Sequence, residues 1–432
     1  MSSIKTIKEM LYGTSCDQRL THIYCCGSEE VQYQKDRIDA VIDVFSALFG
    51  VVDETREVAL FSAPGRTEVG GNHTDHQHGC VLAASVNLDI LACAGKNGTS
   101  VVRIQSEGYP MLEVDLNHLE PVEKEINTSP ALIRGIASKI KSMGYEPAGF
   151  DCYATSNVLQ GSGLSSSAAY EVLIGVIFNH LFCNDEINAV QIAQIGQYAE
   201  NVFFGKPCGL MDQMASSVGS AVSIDFNDPA DPIINKVTFD FTKTGHYLCI
   251  VDSGADHADL TDEYAAITIE LKNICRHFGK EVLRDIDEAD FMKAIPELRE
   301  KCGDRAVLRA IHFYAENKRA IAEAEALAND DFETFLKLSR ESGASSYMYL
   351  QNVYCSGAVK EQAVSLALAL SDHILGDRGT FRVHGGGFAG TIQAFVPEDL
   401  LETYRAAMES VLGAGSCHVL NIRPEGGIVL LP

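Results

Sequence analysis

The chain's sequence predicts a mixed α/β fold, long enough for two domains, on three observations. Runs with helical periodicity alternate with short β-like runs through both halves of the chain. Of the 432 residues, 46% are hydrophobic and 22% charged, the balance of a globular protein with a sizeable core. No internal repeat or low-complexity segment breaks the pattern, and two domains of roughly 200 residues each fit the length.

The first element is QKDRIDAVIDVFSALFG at 34–50, where Ile38, Val41, Ile42, Phe45 and Leu48 recur at spacings of three and four, the mark of an amphipathic helix stopped by Gly50. EVALFSAP reads as a strand entering a Pro64-Gly65 turn, and VLAASVNLDILACAG as one or two buried strands. VVRIQSEG and MLEVDL alternate as further strands. Helical spacing returns from Ala131 to Met143, GFDCYATSNV follows as a strand, and AYEVLIGVIFNHLF and NAVQIAQIGQYAENVFF are two more helices. AVSIDF and HYLCIVDSG are β-like, helical segments begin near Tyr264, and GTFRVHGGGFAGTIQAFV joins two strand-like runs through a glycine turn. NDPADP at Asn227 to Pro232 is the expected linker.

Charge and cysteine usage narrow the function classes. The 34 Lys plus Arg stand against 59 Asp plus Glu, and a net charge of −25 argues against nucleic acid or an anionic membrane surface as a partner. A nucleotide pocket in such a chain needs Mg²⁺, a helix N-terminus or a few placed cations to reverse the local sign. The thirteen cysteines include no CxxC pair, and their irregular spacing, with one vicinal Cys25-Cys26 pair, fits neither a zinc module nor a secreted disulfide framework. MSSIKTIKEMLYG lacks the apolar core of a signal peptide, and no apolar run approaches the ~18 residues of a membrane span, so a cytoplasmic protein is expected.

Four segments concentrate the chemistry. SAPGRTEVGGNHTDHQHGCVLAA, Ser62 to Ala84, packs Arg66, Asn72, His73, Asp75, His76 and His78 between two apolar runs, a density of donors and acceptors suited to a polyhydroxylated small molecule. GSGLSSSAAYEVLIG, Gly161 to Gly175, places small residues between a strand and a helix, where backbone N–H groups at a helix N-terminus can approach phosphate. It lacks the Lys of the Walker pattern, and taken alone it reads equally as a serine-capped helix after a glycine turn. AENVFFGKPCGLMDQMASS adds Glu200 and Asp212, carboxylates of the kind that accept a hydroxyl proton or hold Mg²⁺ through oxygen. VHGGGFAG is a further glycine turn that lets backbone and ligand come close.

Together these segments resemble the GHMP small-molecule kinases and, within them, the galactokinases. That family's first motif has the form GRxNLIGEHTDYxxGxVLP, and Gly65 to Ala83 reads GRTEVGGNHTDHQHGCVLA. Its GLSSSAA is intact from Gly163 to Ala169, GxPCGxMDQ matches Gly205 to Gln213, and GGGFGG appears from Gly385 to Gly390 with Ala389 in place of a glycine. The resemblance implies an α/β (α+β) two-domain fold, a ribosomal-S5-like N-terminal domain over 34–226 and a ferredoxin-like C-terminal domain over 233–432, with the active site between them and an extension over 1–33.

It further implies transfer of the γ-phosphoryl group of ATP to the anomeric hydroxyl of a hexose. Asp212 matches the family's base and Arg66 its partner. Asn72, His73, Asp75, Gly209 and Tyr264 match sugar-contacting positions. Gly161, Ser162, Gly163, Leu164, Ser165, Ser166, Ser167 and Gly386 would line the nucleotide, and Ser167 with Glu200 would hold Mg²⁺.

The most consequential departure of the first motif from the family is Asn72 for Glu, and Glu68 for Asn and Gly70 for Ile depart as well. The family Glu accepts from the C6 hydroxyl of the sugar. A charge-assisted hydrogen bond contributes about 1.5–3 kcal/mol against roughly 1 for a neutral one, and Asn72 also removes a repulsion of several kcal/mol, about 4 at an effective dielectric near 20, toward a C6 carboxylate. Asn72 is therefore expected to decide the sugar. Galactose is the first expectation, with galacturonate, an N-acetylhexosamine, or a non-catalytic sugar and ATP sensor as the alternatives. Leu159 and Ala389 are smaller departures on the nucleotide side, and Ala389 is expected to keep an ordinary φ.

Overall fold

The computed structural model describes residues 1–51, 54–159, 163–206, 208–254, 261–355 and 357–432. The strands are β1 (Ser2–Ser3), β2 (Glu57–Gly70), β3 (Cys80–Lys96), β4 (Val101–Ser106), β5 (Leu112–Asp115), β6 (Phe150–Ser156), β7 (Ala221–Asp225), β8 (Ile233–Val237), β9 (His246–Asp252), β10 (Thr380–His384), β11 (Thr391–Pro397), β12 (Cys417–Leu420) and β13 (Ile428–Leu431). The helices are α1 (Ile4–Leu11), α2 (Thr14–Tyr24), α3 (Ser28–Leu48), α4 (Ser129–Ser142), α5 (Ser166–Phe182), α6 (Ala189–Ala199), α7 (Met211–Val218), α8 (Thr261–His277), α9 (Glu288–Cys302), α10 (Asp304–Ala328), α11 (Phe332–Ser345), α12 (Ala363–Leu375) and α13 (Leu401–Leu412).

Nine of the described strands form one sheet in the order β1-β2-β3-β6-β4-β5, with β13 added on β2 and the β7–β8 hairpin on β3. Its spine is the long antiparallel pair β2 and β3, running from Ala59↔Ala94 to Gly70↔Leu82. The Pro64-Gly65 dipeptide does not end β2 as expected. The strand continues to Gly70 through two register shifts, at Pro64/Arg66 and Glu68/Gly70. Bulges of this kind re-aim side chains, and the two here bracket the Arg66 to Glu68 stretch, which pairs with Ser85 to Ala83.

Alternation along these strands separates two packing layers, because successive side chains leave a strand on opposite faces. Ala59, Phe61, Ala92, Ala94, Cys152 and Ala154 join the main core with α4 and α5. Val58, Leu60, Leu91, Cys93 and Tyr153 face the other way, onto Ile4, Ile7, Leu20, Ile38, Ile42 and Phe45 of α1, α2 and α3. The expected helix at 34–50 thus begins earlier, at Ser28, and residues 1–33 are an edge strand, two further helices and the start of α3, which cover the back of the sheet.

The second sheet has the order β10-β11-β9-β12 and is antiparallel throughout. Leu248, Ile250 and Phe395 face the main core, while Cys249, Val251, Ala394 and Val396 pack under α12 and α13. Asn227 to Pro232, expected as a linker, is instead the loop of the β7–β8 hairpin, whose strands pair from Ala221↔Val237 to Asp225↔Ile233. The chain leaves the first sheet after β8 and returns to it for β13.

Candidate active site

Arg66 and Asp212 meet although 146 residues separate them. The guanidinium grips the carboxylate with two bonds, Nε to Oδ1 at 2.7 Å and Nη2 to Oδ2 at 2.6 Å. The bulge at Gly65 makes this geometry possible, since the Arg66 N–H then donates to the Leu164 carbonyl at 2.9 Å and Arg66 Nη1 to the Gly163 carbonyl. A Cβ at Gly65 would lie 3.0 Å from both Leu164 O and Val158 Cγ1, so this approach of two loops has little room for a side chain. Asp212 sits in the first turn of α7, where the helix dipole favours negative charge. Burial alone would raise its pKa, but Arg66 and a 2.8 Å hydrogen bond from the Ser165 hydroxyl outweigh that and hold it below the ordinary carboxylate value.

The phosphate-loop candidates lie around this pair. Gly163 has φ 74° and Ser165 φ 53°, both in the left-handed region, and Ser165 caps the start of α5. Leu164 is buried, Ser166 opens the helix, and Gly161 and Ser162 lie outside the described residues. The first N–H groups of a helix lack intrahelical acceptors, so α5 presents an anion-binding end after this loop. His384, at the end of β10, lies against Gly163. Burial and the neighbouring Arg66 and Arg382 push its pKa down to about 3, so it is a neutral link between the second sheet and the loop.

A cavity of about 300 Å³ opens beside Asp212 and is lined by Arg66, His73, Asp75, Gly209 and Gly386 among the expected residues. His73 Nε2–H donates to the Gly386 carbonyl at 3.0 Å, and burial lowers its pKa, leaving a neutral imidazole. Gly209 approaches Asp75, whose Oδ2 would be 3.5 Å from a Cβ there. Tyr264 does not line this cavity. Its hydroxyl donates to the Gly387 carbonyl at 2.6 Å, and its ring fills the space beside Gly386, where a Cβ would meet Cε1 at 2.5 Å. Tyr264 therefore buttresses the glycine turn. Ala389 avoids the left-handed region, as expected, and Phe388 beside it takes φ 59° instead.

Asn72 departs from expectation more sharply. It is fully buried, it does not line the cavity, and its amide is spent on the protein. Nδ2 donates to the Gly385 carbonyl at 2.7 Å and to Glu68 Oε1 at 3.0 Å, while Oδ1 accepts from Asn352 Nδ2 at 2.9 Å and Ser346 Oγ at 3.3 Å. Gly70 has an equally local cause: a Cβ there would stand 1.7 Å from Glu323 Oε2, a buried carboxyl of α10.

A second cavity of about 590 Å³ lies on the other side of Ser167 and Glu200, which line both. Its walls include Tyr109, Leu112, Tyr170 and Phe204. Glu200 begins a π-helical turn, Glu200–Phe204, that follows α6, and such turns recur at functional sites. Gln213 Nε2 donates to both Glu200 Oε2 and Glu171 Oε2 at 2.9 Å. Burial and the neighbouring Glu200 raise the pKa of Glu171, and its Oε1 is buried without a partner among the described residues.

Glu68, Glu171, Lys206 and Gln213 were not among the residues expected from the sequence. Glu68 and Gln213 sit inside the recognised segments, so their polarity next to Arg66 and Asp212 was the available signal.

The GHMP kinase N-terminal domain matches residues 131–220, and the galactokinase galactose-binding signature matches residues 43–96. A galactokinase of Glaesserella parasuis serovar 5 (strain SH0165) is 31% identical over 350 residues, covering 79% of this chain and 86% of that protein. The crystal structure of Lactococcus lactis galactokinase complexed with galactose superposes with a TM-score of 0.73 at 26% identity, covering 91% of this chain and 99% of that one. Methanococcus jannaschii mevalonate kinase, at 14% identity and a TM-score of 0.60 over 85% of this chain and 98% of that one, shares the fold. With the two-domain kinase fold, the Arg66–Asp212 pair and a relative matched over most of both lengths, the chain belongs to the galactokinase family.

Proposed function

We propose that this protein transfers the γ-phosphoryl group of ATP to the anomeric hydroxyl of galactose, giving galactose 1-phosphate, with Asp212 as the base and Arg66 as its partner. The observation that carries this reading is the two-point Arg66–Asp212 pair bordering a cavity that meets a second one at Ser167 and Glu200. The smaller cavity takes the sugar, contacted by His73, Asp75 and Gly209, and the larger one the nucleotide. The unit built on the first sheet, which includes β8 and β13, supplies Arg66 and the phosphate loop, and the second sheet supplies the glycine turn between β10 and β11.

The low pKa of Asp212 constrains the order of events. A carboxylate held ionised by Arg66 is a weak base toward a sugar hydroxyl, so it accepts the proton as the bond to phosphorus forms and not before. That timing suits the loose transition state of phosphoryl transfer, in which the nucleophile needs little prior activation. Arg66 fixes the carboxylate in one orientation through its planar fork. His73, neutral and donating to Gly386, holds the glycine turn against the sugar site.

Ser167 and Glu200 would hold Mg²⁺. The donor set fits a hard cation, because a hydroxyl and buried carboxylates gather there and Glu171 keeps an unpartnered oxygen beside Glu200. Among the described residues no three His, Cys, Asp or Glu side chains form a ready cage, which suits an ion that takes one or two carboxylates and completes its shell with water and phosphate. When bound it would neutralise phosphate charge. Thirteen free thiols support a cytoplasmic setting.

Asp212→Ala should lower kcat by roughly 10²–10⁴-fold and leave galactose affinity within about tenfold. A coupled ADP-release assay with ATP, Mg²⁺ and a panel of hexoses, uronic acids and amino sugars checks both points. Preference for galacturonate, or full activity in the variant, overturns the reading.

A further inference from the structure

The cavity contains a carboxylate to which the motif comparison gives no role. Where the family pattern has Asn, this chain has Glu68, and where the pattern has Glu, it has Asn72, so two departures that look separate in sequence are reciprocal. In the structure the two side chains are bonded to each other, Asn72 Nδ2 to Glu68 Oε1 at 3.0 Å. Their positions are not equivalent. Asn72 is enclosed and its amide saturated, whereas Glu68 lines the cavity.

The two oxygens of Glu68 have different fates. Oε1 accepts from Asn72 and from Arg382, a fully buried guanidinium on β10 that also donates to the Val69 carbonyl. Oε2 has no protein donor within hydrogen-bond distance among the described residues. The pairing with Arg382 fixes the plane of the carboxyl group, and the second oxygen is left for whatever fills the cavity.

We propose that Glu68 is a specificity-determining residue of the sugar site: Oε2 accepts a hydrogen bond from a hexose hydroxyl, and Asn72 is a positioning residue that acts through Glu68. The proposal rests on the sugar-kinase reading above and deepens it. It reverses the expectation from sequence that replacing Glu by Asn at position 72 opens the site to a sugar carboxylate, because the negative charge has moved four residues along the chain and still faces the cavity. A uronic acid presenting its carboxylate to Oε2 is repelled, and a hydroxyl there is favoured.

The test compares wild type, Glu68→Gln and the reciprocal E68N/N72E variant, with kcat and KM measured for galactose, its 2-, 4- and 6-deoxy analogues and ATP. Wild type should discriminate strongly against one analogue, the one lacking the hydroxyl that Oε2 accepts. In E68Q the KM for galactose should rise roughly tenfold, with kcat within about twofold and KM for ATP unchanged, while that one analogue is unaffected. Its discrimination then collapses and the others keep theirs. The reciprocal variant should recover most of the lost discrimination; should it fail to fold, the E68Q profile decides alone. An equal KM increase for galactose and every analogue, or no increase, overturns the proposal and leaves Glu68 as framework only. Failure of wild type to phosphorylate any hexose sinks the sugar-kinase reading itself, which separates the two failures.

Discussion

Two of the buried charge clusters among the described residues, one behind the first sheet and one beside the smaller cavity, use the same groups to opposite ends. Behind the sheet, fully buried Asp89 accepts from Arg37 Nη1 at 2.6 Å, from the Tyr24 hydroxyl at 2.7 Å, from the Ser62 hydroxyl and, at 3.5 Å, from Arg423. This joins α2, α3, β3 and the tail before β13, and both carboxylate oxygens are used. Beside the cavity, Glu68, Glu316 and Glu323 face Arg382 and Arg319. Glu316 accepts the N–H groups of Gly71 and Asn72 at 3.2 Å and the Ser342 hydroxyl at 2.5 Å, so it fixes the backbone of the first motif from α10. His312, neutral, donates Nε2–H to the Asn72 carbonyl at 3.0 Å. A cluster with every acceptor filled is a rivet; one with carboxyl oxygens to spare can also meet a ligand.

The largest effect that would sharpen this contrast is expected at Asp89. Asp89→Asn leaves Arg37 and Arg423 buried without their anion, which costs about 3–5 kcal/mol. Thermal unfolding should show that loss, while kcat and both KM values stay near wild type below the lowered Tm, since Asp89 lines neither cavity described above. A changed galactose KM would show that the two clusters are coupled. The same measurement bears on residues 1–33: they cover an apolar sheet face and reach Asp89 through Tyr24, so they belong to the fold.

A smaller effect is expected where α10 meets the first motif. Gly70→Ala forces the Glu323 side chain from a site where a Cβ would lie 1.7 Å from Oε2, an overpacking worth about 1–3 kcal/mol. Adding Glu323→Ala should return most of that loss, so a double-mutant cycle by chemical denaturation should give a coupling above about 1 kcal/mol. Additive losses would mean that Gly70 is required for its backbone alone.

These residues also mark what the sequence could disclose. Arg66, Asp212, Ser167, Glu200 and the glycine turn were legible because each sits in a short segment whose chemistry is local, and most helices because their periodicity is. The course of β2 was not: Pro64-Gly65 carries a turn signal, and only pairing with β3 shows that it is a bulge. The saturation of Asn72 by Asn352 and Ser346 was also hidden, since those partners lie more than 270 positions away. Gly70 looked like divergence for the same reason, its cause being a carboxyl on α10. The Asn227 to Pro232 run misled as a linker because hairpin loops and linkers share one composition.

The smallest effect is also the most diagnostic, because the two clusters should respond to pH with opposite sign. Asp89 has its pKa lowered: burial opposes this, but Arg37 and Arg423 prevail. Its contribution to stability is therefore present above the unfolded value near 3.8 and is lost as pH falls through the folded one. Glu323 has its pKa raised well above 4.5 by burial, then by Glu316, and both its oxygens are buried without partners among the described residues. The folded protein keeps it protonated, so its contribution is full below 4.5 and is lost as pH rises through the folded value. In Glu323→Gln this titration is gone. The Tm of that variant minus that of wild type should therefore climb as pH rises from 4.5 towards the folded value, whatever its starting offset, and the deficit of Asp89→Asn should be constant over the same range. A flat difference for E323Q would mean that Glu323 is ionised in the folded state, which would leave three carboxylates facing two guanidiniums beside the cavity.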